Sequence, residues 1–307
     1  LAKGHLKAAF QPIVALSNRK IRGYEALLRA TGGEASKAIN TLPIEEIVRL
    51  ADRQGQGGAL ATMMLDASAD YLRMLIKEKK RKGLFVALNV TYAQLREGDF
   101  VDELSRQIKQ NRLPSKGLVL ELSESEAITD EKSAKKLFAK VRAAGAGLAF
   151  DDFGAGFTSL SNLHKFTFDY LKVDKSFVEK LPGDKDAAKI VTSMAKLGKD
   201  LGLTVIAEGV SSEALADAAL SSGCTLGQGF ALGGPASLDG GEIAPAPERR
   251  AIAESEKTAP ASHSGRNTQA GEAGQSDAGS FGVPSDPPLS SEPETPASRQ
   301  FWNRDLR

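Results

Sequence analysis

Short apolar runs recur along the first three quarters of the chain, and polar residues stand within or just beyond most of them. The runs are Ala9–Leu16, Ile21–Leu28, Leu84–Val90, Leu118–Leu122, Gly147–Phe153, Tyr170–Val173, Thr204–Ala207 and Gly229–Leu232. Most are continuous stretches of Val, Ile, Leu and Phe, as strands buried on both faces require. Between them the period changes to that of helices. Ile190, Val191, Met194, Leu197 and Leu201 share one predicted helical face, and Ile44, Ile47, Val48 and Ala51 share another. Pro43, followed by Glu45 and Glu46, marks the start of the second of these helices. Only Ser17-Asn18-Arg19-Lys20 separates the first two runs, which predicts an antiparallel hairpin. From Leu84 onward the units repeat every 20 to 35 residues or roughly so, the spacing of a parallel sheet with crossover helices. A folded region of about 235 residues suits a (β/α) barrel. A doubly wound open sheet fits the same periodicity.

Composition sets the limits of that folded region. Of 13 prolines, 8 lie in the last 67 residues, and the stretch from Ala246 to Arg307 is rich in Ser, Pro, Gly, Glu and Ala. Such a segment buries too little apolar surface to offset its ordering entropy. The expected organisation is a folded domain over 1–240 and a disordered tail over 241–307. The only tryptophan, Trp302, stands beside Phe301 in that tail, where the pair could serve a protein partner as a short docking motif or be incidental.

Charge and cysteine content exclude several classes. With 40 basic and 39 acidic residues among 307, the formal net charge is +1, which argues against binding a nucleic-acid polymer. One cysteine, Cys224, cannot form an internal disulfide, and three histidines are too few for a zinc cluster. A reducing, cytoplasmic setting is expected. No apolar run is long enough to span a membrane. The chain opens on Leu1 rather than methionine, without a signal-peptide pattern. Upstream sequence is therefore expected to have been removed, and a sensor or membrane anchor could have stood there.

The candidate chemistry lies where the runs end. Glu25 falls in the second run, Asn89 near the end of the third and Glu121 near the end of the fourth. Asp151 and Asp152 sit near the end of the fifth, Lys172 interrupts the sixth before Asp174, Glu208 follows the seventh, and Gln228 leads into the last. In a barrel the C-terminal ends of the strands converge on one face, which carries the chemistry. Five carboxylates, one amide and one lysine would then share a small volume. Carboxylates that close repel one another unless cations neutralise them. Oxygen ligands without His or thiolate select hard ions, Mg²⁺ or Mn²⁺. The adjacent Asp151 and Asp152 could let one carboxylate bridge two metals, the arrangement suited to phosphoester hydrolysis. Glycoside hydrolysis also uses paired carboxylates, but it favours aromatic sugar platforms, and aromatics are only 6% of this chain.

These residues resemble a known family in ordered motifs from about Leu6 to Pro235. Gln11-Pro12-Ile13-Val14 precedes Tyr24-Glu25-Ala26-Leu27-Leu28-Arg29, which is similar to the name-giving motif of EAL-family cyclic-di-GMP phosphodiesterases. Leu88-Asn89-Val90-Thr91, Glu121-Leu122-Ser123-Glu124-Ser125 and the Asp151–Leu160 segment follow in order. Leu171-Lys172-Val173-Asp174, Ala207-Glu208-Gly209-Val210 and Gly227-Gln228-Gly229-Phe230 complete the series. The resemblance implies a modified TIM-type (β/α)8 barrel with an antiparallel first strand. It also implies metal-dependent hydrolysis of cyclic di-GMP to linear pGpG, with two divalent cations, Mg²⁺ or Mn²⁺.

Position by position, Glu25, Asn89, Glu121 and Asp151 resemble ligands of one metal, and Asp151, Asp152 and Glu208 those of a second, with Asp151 bridging. The resemblance makes a bridging water the nucleophile and has Lys172 hold it or the attacked phosphate. It leaves open whether Glu208 is also a general base. Gln11, Leu27, Arg29 and Gln228 resemble substrate contacts, and Glu124 resembles the anchor of a mobile loop at Phe153–Ser159. A homodimer is also implied. The segment Leu163–Asp169, near the expected dimer surface, lacks the family's usual proline, and Thr91 stands where serine is commoner. The competing expectation is a receptor that binds the nucleotide without hydrolysing it and signals through protein partners.

Overall fold

The computed structural model describes residues 6–30, 44–77, 82–124, 128, 130–155 and 163–237. Pro43, part of the Phe153–Ser159 loop, the proposed boundary at residue 240, the tail and its Phe301-Trp302 pair lie outside the described residues.

Eight strands close into a barrel in sequence order: β1 (Leu6–Ala15), β2 (Ile21–Ala30), β3 (Phe85–Asn89), β4 (Leu118–Ser123), β5 (Gly147–Phe153), β6 (Tyr170–Val173), β7 (Thr204–Ala207) and β8 (Leu226–Gly227). The open-sheet alternative is thereby excluded. β1 is antiparallel to both of its neighbours, and all other pairings are parallel. The short connection from Leu16 to Lys20 forces this reversal, because a parallel partner would need a long crossover. Arg19 in that turn takes a left-handed backbone (φ 56°). Its guanidinium pairs with Glu213 at 2.7 Å and Asp217 at 3.1 Å, both on a helix introduced below.

Helices cover the outside: α1 (Ile44–Arg53), α2 (Gly57–Lys77), α3 (Tyr92–Arg96), α4 (Phe100–Gln110), α5 (Glu131–Ala143), α6 (Lys175–Val178), α7 (Lys185–Asp200) and α8 (Glu213–Ser221). Several starts are capped by side chains whose oxygen accepts an otherwise orphaned N–H. Asp130 caps α5, Asp184 caps α7 and Ser212 caps α8. Thr91 and Gln94 form a reciprocal capping box on α3, so the Thr91 hydroxyl serves the helix start. The predicted face of α1 is observed: Ile44, Ile47, Val48 and Ala51 all pack against the core.

Two apolar compartments follow from strand alternation. Outward-facing side chains meet the helices in the larger one, where the Phe10 ring stacks on Tyr71 of α2 at 3.9 Å. Inward-facing Ile13, Phe85, Ala87, Val119, Ala149, Ile206 and Leu226 fill the lower half of the barrel. The interior is a packed floor, and the next inward positions toward the strand C-termini are polar.

Two expectations need correction. Gly229–Leu232 is not a strand: β8 is the two-residue Leu226–Gly227, and Phe230–Leu232 is a 3-10 turn. The chain is pressed against the backbone of Val210 at Gly229, where a methyl group would collide. Gln228 O accepts from Val210 N and Val210 O accepts from Ala231 N, bending the run over the rim with Phe230 56% exposed. The predicted face of α7 is borne out at Val191, Met194 and Leu197, which pack against the core, and fails at Ile190 and Leu201. Ala187, Val191, Ala195 and Gly198 are buried, while Ile190 and Leu201 are exposed. Small residues win this face because the helix lies so close to β6 and β7 that a Cβ at Gly198 would stand 2.5 Å from Val205 Cγ2.

Candidate active site

Period-two alternation carries one polar layer above the apolar floor. Glu25 sits two residues beyond Gly23 on β2, Asn89 two beyond Ala87 on β3, Glu121 two beyond Val119 on β4 and Asp151 two beyond Ala149 on β5. Lys172 lies two beyond Tyr170, Glu208 two beyond Ile206 and Gln228 two beyond Leu226. Each strand therefore supplies its next inward side chain at the C-terminal mouth.

Lys172 stands at the centre and is 1% exposed. Its Nζ lies 2.7 Å from Glu208 Oε1, 2.9 Å from Glu121 Oε2, 3.0 Å from Asp151 Oδ1 and 3.6 Å from Glu25 Oε2. Amides complete the shell around Glu25. Asn89 Nδ2 donates to Glu25 Oε1 at 2.8 Å, and Gln228 Nε2 donates to Glu25 Oε2 at 2.6 Å. Gln228 Nε2 also lies 3.2 Å from Gln11 Oε1, and Gln11 Nε2 donates to Gly233 O at 3.1 Å. Leu27 is half-buried two residues along β2 from Glu25. Arg29, two further, is buried, donates to Leu28 O at 2.8 Å, and has a buried Nε with no hydrogen-bond partner among the described residues.

Asp151 and Asp152 break the alternation. Neighbouring residues of a regular strand point to opposite faces, so Asp152 would face the helices. Instead the β5–β6 register slips between Phe150 and Phe153, and Asp152 adopts φ 56°. This bulge costs about 1 kcal/mol in left-handed backbone for a residue other than glycine. It turns both carboxylates the same way: one oxygen each from Asp151, Asp152 and Glu208 lies within 4.8 Å of the others. Asp152 N donates to Asp151 Oδ1 at 2.9 Å, and Ser123 Oγ donates to Asp152 Oδ2 at 3.1 Å. Glu124, the residue after β4, stands outside the group around Lys172. Its Oε2 accepts from Gly154 N at 3.0 Å, and its own N donates to Asp151 O at 3.0 Å.

Crowding of like charge in a buried space shapes the titration of the site. Burial and the Asp151 charge push Asp152 up to about 6. Burial, opposed by Lys172 and reinforced by Asp151 and Glu25, pushes Glu208 up to about 8. Burial also raises Asp151, and it raises Glu121 well above the carboxylate range, with Lys172 opposing in both cases. Glu25 goes the other way: burial pushes it up, but the Lys172 ammonium and the Gln228 and Asn89 amides outweigh that and hold it low. Burial alone would lower Lys172, yet four carboxylates raise it well above the ordinary lysine value.

Sequence reasoning named every charged member of this cluster and gave Ser123 no role. The available signal was its spacing, two residues beyond Glu121 and so on the same face of β4.

Residues 1–235 match the EAL domain family, and the chain belongs to it. Among curated proteins it is 30% identical over 235 residues to the bifunctional diguanylate cyclase/cyclic di-GMP phosphodiesterase MucR of Pseudomonas aeruginosa, covering 76% of this chain and 34% of that one. It is 27% identical over 235 residues to the cyclic di-GMP phosphodiesterase RocR of the same species, covering 76% of this chain and 58% of RocR. The chain thus spans about a third of MucR and under two thirds of RocR. Among solved structures, the PaMucR phosphodiesterase in complex with c-di-GMP superposes with TM-score 0.70 at 29% identity, covering 78% of this chain and 94% of that one. The manganese/cy-diGMP complex of Klebsiella pneumoniae BlrP1 superposes with TM-score 0.59 at 29% identity, covering 75% and 56%.

Proposed function

We propose that this chain hydrolyses cyclic di-GMP to linear pGpG with the help of two divalent cations, Mg²⁺ or Mn²⁺. The observation that carries the reading is the ring of Glu25, Glu121, Asp151 and Glu208 around Lys172, with Asp152 turned in beside it. Relatives at 27–30% identity bear the name of this activity, and the PaMucR and BlrP1 structures are complexes with the nucleotide.

The residues fit hard cations. Glu121 Oε1 is buried without a hydrogen-bond partner among the described residues, which is costly unless something charged or polar faces it. The donor set is all oxygen, and three of its carboxylates converge. Glu25, Asn89, Glu121 and Asp151 would hold one ion, and Asp151, Asp152 and Glu208 the other. When bound, such ions supply Lewis acidity to a phosphodiester and lower the pKa of water.

The rest of the chemistry falls to the chain itself. Lys172, with its proton held tightly, acts as a donor that orients the attacking water or a phosphate oxygen, and not as a base. Arg29 places a guanidinium on the strand that carries Glu25, suited to a second phosphate oxygen. Leu27 offers an apolar wall between them, and Gln11 and Gln228 offer amides to the guanine or ribose. Glu124 fastens the start of the β5 loop through Gly154. A homodimer, and a tail partner met through Phe301-Trp302, belong to the same reading; a monomeric mass by light scattering would remove the first.

The deciding experiment incubates the full chain with cyclic di-GMP and Mg²⁺, Mn²⁺ or EDTA and follows pGpG. Product with either ion and none in EDTA is expected. Binding without product under every condition would overturn the assignment.

A further inference from the structure

The bulge explains why Asp152 faces inward but not why its carboxylate stays in one place. A left-handed backbone fixes the direction of Cβ and leaves both side-chain torsions free. Asp152 is also only partly buried, so packing does not hold it. Among the described residues, the side-chain hydrogen bond to its carboxylate comes from Ser123 Oγ, at 3.1 Å to Oδ2. Ser123 is well placed for this. It is the cross-strand partner of Asp151 in the β4–β5 pairing, and it occupies the inward position next above Glu121. The Asp151 carboxylate in turn accepts from Asp152 N at 2.9 Å. A hydroxyl and a backbone N–H therefore brace the two adjacent carboxylates from opposite sides of the bulge.

We propose that Ser123 is a positioning residue: its hydroxyl sets the Asp152 carboxylate for the cation shared with Asp151 and Glu208. The inference rests on the cation-binding reading above. In this role Ser123 acts on the ion through Asp152. A ligand left free to rotate must be ordered when the ion arrives, and that entropy is subtracted from the affinity of one ion only. A threonine would keep the hydroxyl and suit a strand, whereas an alanine would lose it with little change in packing.

The test is calorimetric titration of Mn²⁺ into the full chain as wild type, Ser123→Ala and Ser123→Thr, with melting curves in EDTA. Wild type is expected to take two ions. Ser123→Ala should weaken one site by about 10-fold or more and leave the other within about twofold. Ser123→Thr should restore the weakened site to within about threefold of wild type. Melting in EDTA should be the same for wild type and Ser123→Ala. The proposal is overturned if Ser123→Ala binds both ions as wild type does, or if Ser123→Thr is as weak as Ser123→Ala. It is also overturned if the alanine variant loses stability in EDTA while its ion affinities stay unchanged, which would make the hydroxyl merely structural. Wild type taking up no ion would instead bring down the cation-binding reading itself, a result distinct from the others.

Discussion

Lys172 holds one positive charge against four carboxylates with almost no water contact, and that environment decides what it can do. A lysine whose proton is held this tightly donates hydrogen bonds in a transition state rather than accepting protons. Lys172→Ala should therefore lower kcat by about 10²–10³ and change KM little, as removal of one preorganised donor does; a rise in KM alone would make it a substrate anchor. Glu25→Ala should lower turnover by about 100-fold or more through loss of a cation ligand. Near-normal turnover of that variant would show the site assigned wrongly. The charged members of the cluster were legible in the sequence because each interrupts or ends an apolar run, where a bare charge is costly. Ser123 was not legible, since a hydroxyl on a strand carries no such cost. The inward turn of Asp152 was hidden too, because strand alternation alone would point it toward the helices.

At the scale of elements, legibility followed the length and apolarity of each run. Gly147–Phe153, Tyr170–Val173 and Thr204–Ala207 are strands with the predicted bounds. β8 escaped because two residues make no periodic signal, while the more apolar Gly229–Leu232 next to it drew the assignment. α7 was found with Val191, Met194 and Leu197 on its packed face, but Ile190 and Leu201 were assigned to that face and are exposed. Large apolar residues dominate a sequence-based face, whereas a helix lying close to parallel strands buries its small ones. The 3-10 turn yields a prediction at this scale. Gly229→Ala should cost about 1–3 kcal/mol, the usual range for forcing an extra group into filled space. It should also weaken nucleotide binding, because the displaced turn carries Gln228 and the carbonyl of Gly233 that receives Gln11. An unchanged melting temperature for this variant would contradict the contact with Val210.

For the molecule as a whole, a net charge of +1 conceals a local excess of buried negative charge. Glu121, Asp151, Asp152 and Glu208 are all raised in the folded state, whereas Glu25 alone of the cluster is lowered. The folded, cation-free protein thus keeps protons that the unfolded chain has released, and its stability falls as pH rises. For Glu208 the fall begins near its ordinary value of 4.5 and ends near 8, and for Asp152 it runs from 3.8 to about 6. Glu25 works in the opposite sense but is outnumbered. Melting temperatures in EDTA should accordingly decline from about pH 5 to about pH 8, and Mg²⁺ or Mn²⁺ should flatten that decline because the ions bind the deprotonated carboxylates. A melting temperature in EDTA that climbs over this range would refute the account.

The reversed first strand has a consequence at the same scale. β1 runs from the mouth of the barrel toward its floor, so Leu6, paired with Ala30, lies on the side of the barrel where Glu25 and the other polar residues gather. The far end of the described chain returns to the same rim, where Ala236 exchanges hydrogen bonds of 2.8 and 3.1 Å with Phe10, one residue above the layer of Gln11 and Glu25. A barrel whose eight strands all ran one way would admit the chain at its floor, a strand's length from the chemistry. Here Leu6 and Ala236 both stand on the side of the barrel that carries the polar layer. At that rim Ala236 is hydrogen-bonded to Phe10, whose neighbour in β1 is Gln11, so the last described strand-like contact lies one residue from the amide that meets Gln228.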